Sequence, residues 1–336
     1  MSQLNLSAFD AAIAKPERNA EIKRMFGGRG SSVIAIGLVS VIAALLLVMV
    51  GVNLVFSQLW LWLAVYLLVV GFVGILIIKA IFGSAVNKVR LRKFAADNGL
   101  KYIGSRGMEV PAAGAIFNTG NSGSKFFTSG FERQDGMLAA NYQYTVGGGK
   151  NSRTYTWGVL RHKLPRRLPN VILDAKSNNS FLGSNLPESY AGGQKLELEG
   201  DFGNYFRVLV PEGYGRDALY FLTPELMAHL VDYGKDYEFE IIDDYLYVYS
   251  SNDFVFNKQT IPNIFQTIDY FAYQFSDNVK RYADERVPDS KIANVVHVQG
   301  SRLKKRFAWV GIVIFILFIL LQLLPGILGF FVGDSQ

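Results

Sequence analysis

A chain of 336 residues with a formal charge of +6 and no cysteine has no disulfide or thiolate chemistry open to it. The charge argues against nucleic acid once it is located: residues 94–301 hold 20 Lys+Arg against 24 Asp+Glu, whereas a nucleic-acid surface needs its cations on the folded domain. The positive excess instead flanks three long uncharged apolar runs at 33–56, 59–78 and 307–332.

Residues 1–32 form a basic leader. Leu6, Phe9 and Ile13 share one helical stripe, as do Ile22, Met25 and Phe26, and Pro16 suits the first turn of a helix. Two readings fit: an interfacial helix on anionic lipid, or a solvated leader supplying topogenic charge. The first apolar run, 33–56, follows about 30 residues and lacks a small-x-small cleavage site, so it reads as a transmembrane helix and not a cleaved signal. A second span is predicted over 59–82 and a third over 307–332, each ~20 residues or more, the length a helix needs to cross ~30 Å of hydrocarbon.

Basic groups set the orientation. Lys15, Arg18, Lys23, Arg24 and Arg29 precede the first run. Lys88, Arg90, Arg92 and Lys93 follow the second, and Arg302, Lys304, Lys305 and Arg306 precede the third. The turn at Ser57-Gln58 and the tail after 332 carry no base. The N-terminus and the central region are therefore expected in the cytoplasm, with the short turn and C-terminal tail outside. The two collars around the domain, Lys88 to Lys93 and Arg302 to Arg306, could also contact anionic lipid.

Between the second and third spans the chain predicts a helical stem over 83–99, stopped at Asn98-Gly99. A domain over 100–301 follows. Strands are expected at 125–132, 137–146 and 153–162, with a hairpin loop at 147–151, and then at 171–174, 195–199, 206–210, 238–241 and 246–250. Thr223-Pro224-Glu225 starts a short helix with Leu226, Leu230 and Tyr233 on its apolar side. A longer helix is predicted over 262–286, with Ile264, Ile268, Phe271 and Phe275 on one face, and a strand or linker over 291–299. The loop-like stretch 177–193 could divide the domain. The order of elements lacks a βαβ rhythm. The expected fold class is thus an α+β soluble domain, mainly antiparallel sheet with a few helices, inserted between the second and third of three transmembrane helices.

The search for chemistry yields no assignable site. The loop at 147–152 has Tyr144 where a P-loop requires its first Gly, and it lies between strands. His162, His229 and His297 stand alone, which argues against a zinc site. His162 lies among Arg161, Lys163, Arg166 and Arg167, a stretch able to meet lipid head groups or simply to end a solvated strand. Glu197, Glu199 and Asp201, and again Glu238, Glu240, Asp243 and Asp244, read as solvent faces in preference to a cation site. No Gly-x-Ser-x-Gly elbow occurs. The apolar runs 33–56, 59–78 and 307–332 carry no Asp, Glu, Lys or Arg of the kind that lines an ion pathway. No catalytic, cofactor or metal residue is assigned, and no cofactor is expected.

The segments Leu198-Glu199-Gly200-Asp201-Phe202, Leu222-Thr223-Pro224-Glu225 and Leu246-Tyr247-Val248-Tyr249 resemble those of an uncharacterised group of bacterial membrane-anchored proteins. There, apolar spans flank a cytoplasmic domain. The resemblance implies a bacterial inner-membrane protein and carries no functional residues. The resulting expectation is a membrane-anchored, non-enzymatic interaction or scaffold module with an unidentified protein partner. An accessory subunit of a larger export or envelope-assembly complex is the alternative, and an enzyme on a membrane-proximal substrate the third reading.

Overall fold

A computed structural model of the chain describes residues 4–25, 60–105, 108–121, 123–179, 184, 186–187, 190, 194–198, 200–305, 317–319 and 322. The expected first span lies outside the described residues, as does nearly all of the third. Helices α1 (Lys15–Met25) and α2 (Trp60–Asp97) precede the sheet. Among the described residues α2 alone is long and apolar enough to cross a membrane. The chain divides into two compact units, one of residues 1–107, 128–140 and 254–266, the other of residues 108–127, 141–253 and 267–336.

The first unit is organised by α2. Its N-terminal part carries Leu68, Phe72, Ile75 and Ile77 exposed, whereas Ala85, Val89, Leu91, Phe94 and Ala95 are buried. One helix thus changes environment along its length. It stops at Gly99, whose φ of +63 suits glycine. Leu100 N–H donates to the Ala95 carbonyl (2.8 Å) and Gly99 N–H to that of Ala96 (3.3 Å), the paired bonds that close a helix C-terminus.

The leader docks on this stem. Glu21 is buried and ion-paired to Arg92 (3.2 Å), Glu17 pairs with Lys93 (2.9 Å), and the Arg18 guanidinium lies 4.7 Å above the Phe82 ring. Asn5 N–H donates to Asn98 Oδ1 (2.7 Å), while Asn98 Nδ2 donates to the Asn5 carbonyl (2.9 Å). These contacts explain why α1 forms with little apolar periodicity. Its buried residues are Glu21 and Ile22, and the acids Glu17 and Glu21 are matched by bases on α2.

Strands β1 (Lys101–Ile103) and β2 (Phe126–Glu132) pair antiparallel, with Tyr102 opposite Phe131. Next to β2 runs β3 (Leu138–Val146). Gly130 is obligatory at that crossing: a Cβ there would stand 2.4 Å from Ala140 Cβ and 2.5 Å from the Ala139 carbonyl oxygen. Phe131 is the centre of an aromatic cluster, 5.2 Å from Phe94, 5.3 Å from Phe256 and 6.2 Å from Phe265.

The second unit is an α+β assembly on an antiparallel sheet. From β3 the strand order continues β4 (Arg153–Lys163), β9 (Tyr245–Ser250), β8 (Glu238–Ile242), β5 (Val171–Ala175), β7 (Phe206–Leu209), β6 (Lys195–Leu196). Every pairing described is antiparallel. The β8–β9 turn places Asp243 at φ +55, a conformation short polar side chains tolerate. The register sets Phe239 between Leu173 and Val248, and Ile241 between Val171 and Leu246, on one apolar face. Helices α3 (Gly215–Phe221), α4 (Pro224–Tyr233) and α5 (Thr260–Val279) follow the same chain order. Phe271 and Phe275 of α5 meet Phe239 at 4.8 and 6.0 Å between ring centroids.

Thr223 caps α4 as expected, its Oγ1 accepting from Leu226 N–H (3.3 Å) with Pro224 in the first turn. Thr223→Ala is expected to cost about 1 kcal/mol, read as a lower urea midpoint of the full chain in detergent. An unchanged midpoint would show that the cap contributes nothing. Leu226 and Leu230 are buried, but Tyr233 is 64% exposed, so the apolar side of α4 is narrower than its spacing predicts.

Three other expectations are corrected. The strand over 195–199 is reduced to Lys195–Leu196 at the sheet edge. Residues 291–299 form no strand; the short helices Ser290–Ala293 and Val298–Ser301 occupy that stretch. The helix predicted over 262–286 ends at Val279. There Arg286 lies 3.9 Å above the Tyr214 ring and pairs with Asp217 (3.1 Å) and Asp284 (3.2 Å), while Tyr282 Oη donates to Asp217 (2.9 Å). These long-range polar contacts outweigh continued helical propensity.

Candidate functional site

The second unit's sheet has a second face, and it is polar yet buried. Pairing places Glu238 opposite Tyr249 and Glu240 opposite Tyr247, with Ile172 across from Glu240 and Arg207 across from Asp174. Glu238 and Glu240 are only 0% and 2% exposed. The solvent face expected for these two acids is therefore wrong. The chain from 108 to 121 covers this side: Phe117 meets Tyr142, Tyr247 and Tyr249 at 5.0, 5.6 and 5.9 Å. A signal for this was present. Tyr247 and Tyr249 alternate with Leu246 and Val248, so β9 is apolar on both sides, as a strand covered on both faces should be.

Two acid groups result. In the first, Asp174 is fully buried and ion-paired to Arg207 Nη2, and its Oδ1 accepts from Ser184 (2.9 Å). Glu238 Oε2 accepts from Ala175 N–H (2.7 Å), while Oε1 has no hydrogen-bond partner among the described residues. Burial, reinforced by the Asp174 charge, pushes the Glu238 carboxyl up to about 8. Burial also raises Asp174, against the pull of Arg207. Glu238 is thus held protonated at neutral pH.

In the second group Glu240 Oε2 accepts from Ala115 N–H (2.8 Å) and Tyr249 Oη (2.8 Å), and Oε1 accepts from Asn170 Nδ2 (3.3 Å). Burial and the nearby Glu240 carboxylate drive the Tyr249 hydroxyl well above its ordinary range. Asn170 is itself fixed: Nδ2 donates to the Ile241 carbonyl (2.8 Å) and Oδ1 accepts from Leu303 N–H (3.1 Å).

A cavity of about 220 Å³ opens over Glu240 and Asn170. Gly114, Ile242 and Leu303 are buried in its wall; Asn118, Arg302 and Lys305 are exposed at its mouth. Gly114 is required where it lies, since a Cβ there would meet the Phe117 ring at 2.6 Å. The interior is thus acidic and the mouth basic. Arg302 holds Asp243 (3.0 Å), which also pairs with Arg167 (3.8 Å), so one carboxylate serves two guanidinium groups.

The other residues singled out in the sequence fall elsewhere. Arg161 lies over Tyr245 (5.1 Å), Lys163 pairs with Asp244 (3.7 Å), and Arg166 donates to the carbonyls of Tyr282 and Ser290 (both 3.1 Å). That stretch is engaged by the domain itself. Among the collar bases, Arg92, Lys93 and Lys304 hold carboxylate partners, Lys304 with Glu212 (3.1 Å), and Arg306 lies outside the described residues. Lys88 and Arg90 are half-buried on the stem. Glu197 pairs with Lys195, Asp201 precedes a one-turn helix, and Glu199 lies outside the described residues. His229 Nδ1 is 2.6 Å from Tyr270 Oη, His297 donates its N–H to Asp284 Oδ2 (2.9 Å), and His162 stands opposite Leu246 in the sheet. Among the described residues no group of three or more His, Cys, Asp or Glu is placed to hold a metal. The loop at 147–152 is a connection between β3 and β4, with a single helical turn at Gly149–Asn151.

No family model, curated protein or solved structure matches the chain.

Proposed function

We propose that the chain is a multi-pass inner-membrane protein of bacterial type. Helices at 33–56, 59–82 and 307–332 anchor a cytoplasmic α+β domain that acts as a non-enzymatic interaction module. One observation carries the anchoring: α2 exposes Leu68, Phe72, Ile75 and Ile77 at one end and buries Val89, Leu91 and Phe94 at the other. Water disfavours such a contiguous exposed apolar surface, and lipid accepts it. The side of the membrane follows from the basic residues that flank the apolar runs. For partner binding, the second unit exposes Tyr220, Tyr233 and Tyr273, a residue type enriched at interfaces.

The absence of native cysteine makes a direct topology test clean. Ser57→Cys, in the short turn, is expected to react with a membrane-impermeant maleimide in intact cells. Ser177→Cys, in the domain, is expected to react only after lysis. Labelling of the Ser177→Cys chain in intact cells would invert the orientation and remove the cytoplasmic reading.

A further inference from the structure

The geometry points to the Glu240 cavity as a binding site for a zwitterionic phospho-amine head group, with the ammonium inward and the phosphate at the mouth. The inference deepens the membrane-anchored reading and rests on it for the source of the ligand, though not for the chemistry of the site.

The interior supplies the Glu240 carboxylate and the Asn170 amide, both buried, and the mouth supplies Arg302 and Lys305. An ammonium suits the first pair, because its N–H groups donate to a carboxylate. A phosphate monoester or diester suits the second, where the Lys305 ammonium and the Arg302 guanidinium present only donors, Arg302 while it also holds Asp243 (3.0 Å). At ~30 Å³ per water-sized group, 220 Å³ matches a ligand about the size of phosphoethanolamine.

Position in the chain favours a lipid as the carrier. Lys305 is two residues before Phe307, where the third apolar run begins, a reach of at most ~7 Å in an extended chain. The mouth therefore lies at head-group depth if that run enters the bilayer. The connecting segment is also held to the domain. Gln194 Oε1 accepts from Lys304 N–H and Gln194 Nε2 donates to the Lys304 carbonyl (both 2.7 Å), and Lys305 bridges to Tyr190 through the backbone. Leu303 N–H is bonded to Asn170, a residue of the cavity itself. The chain entering the membrane and the wall of the cavity are thus one hydrogen-bonded piece, and juxtamembrane basic pockets of this kind suit lipid head groups.

The test uses the full chain in nanodiscs of phosphatidylethanolamine, phosphatidylglycerol or phosphatidylcholine, and native mass spectrometry of what stays bound on release. Retention of one phosphatidylethanolamine per chain is expected. Phosphatidylcholine, whose quaternary amine has no N–H, and phosphatidylglycerol, which has no amine, should be retained about tenfold less or worse. Equal retention of all three would overturn the inward ammonium. Glu240→Gln should abolish the preference for the amine. Because Glu240 is buried, the exposed double substitution Arg302→Gln with Lys305→Gln is the second arm, and it should weaken retention of phosphatidylethanolamine about tenfold. Retention unchanged in the double variant would overturn the site. Soluble O-phosphoethanolamine titrated into the chain in detergent separates the two readings. If it binds with the same dependence on Arg302, Lys305 and Glu240 while the maleimide labelling places the domain outside, the site stands and the cytoplasmic reading falls. If neither lipid nor soluble ligand binds, the site falls whatever the topology.

Discussion

Glu238→Gln is expected to make the protein more stable than its parent above pH 8 and to remove most of the parent's decline in stability between mildly acidic and alkaline pH. In the parent, Glu238 is raised from 4.5 to about 8 by burial first and by Asp174 second. Between those values the folded chain holds one proton that the unfolded chain has lost. Stability therefore falls as pH rises, by up to ~1.4 kcal/mol per unit. The contribution is fully present below about 4.5 and is lost by the time pH passes about 8, an order of 3–5 kcal/mol across the window. Gln keeps the shape and the acceptor for Ala175 N–H (2.7 Å in the parent) but carries no proton to lose. Urea midpoints of the full chain in detergent at pH 5, 7 and 9 would show it. Parallel slopes for parent and variant would mean that Glu238 is not the group responsible.

Phe131→Ala carries the second large effect, about 3–5 kcal/mol. The ring is fully buried and touches Phe94 on the stem, Tyr102 on β1, and Phe256 and Phe265 near the start of α5, at 5.2, 6.0, 5.3 and 6.2 Å. Removing it leaves a cavity bordered by two stretches distant in sequence, the Phe94–Tyr102 and Phe256–Phe265 regions, and a cavity of that kind relaxes only in part. Amide exchange should accelerate in β1, in β2 and in the last turns of α2, while the exposed apolar end of α2 is unchanged. Phe131→Leu should recover most of the loss, because volume is largely kept. Equal loss from Ala and Leu would show that ring-to-ring geometry, and not filled volume, holds this cluster.

How legible the fold was depends on how local its causes are. The α4 start is written in Thr223-Pro224-Glu225, and the α2 stop in Asn98-Gly99, because a cap is a matter of a few adjacent backbone groups. The antiparallel class follows from short alternating segments with turn residues between them, and the buried stripe Ile264, Ile268, Phe271 and Phe275 from helical spacing alone. The end of α5 at Val279 was not legible, since Asp284 and Arg286 meet Tyr214 and Asp217 from a separate part of the chain. Of the candidate site only the two-sided covering of β9 was legible, in the alternation of Tyr247 and Tyr249 with Leu246 and Val248. Glu-Phe-Glu-Ile on β8 alternates as a half-exposed strand would, and only the covering segment around Ala115 and Phe117 puts its acids out of reach of water.

By itself the sequence determined where the apolar runs lie, which flanks are basic, the absence of thiol chemistry and the antiparallel α+β class, because each rests on composition or on a period within one segment. The tertiary structure alone decided that Glu238 and Glu240 are interior, that α1 is held to the stem by Arg92 and Lys93, and that Asn170, Glu240 and Arg302 share one cavity. Burial and charge pairing depend on which segments cover which, and no window of neighbouring residues contains that information.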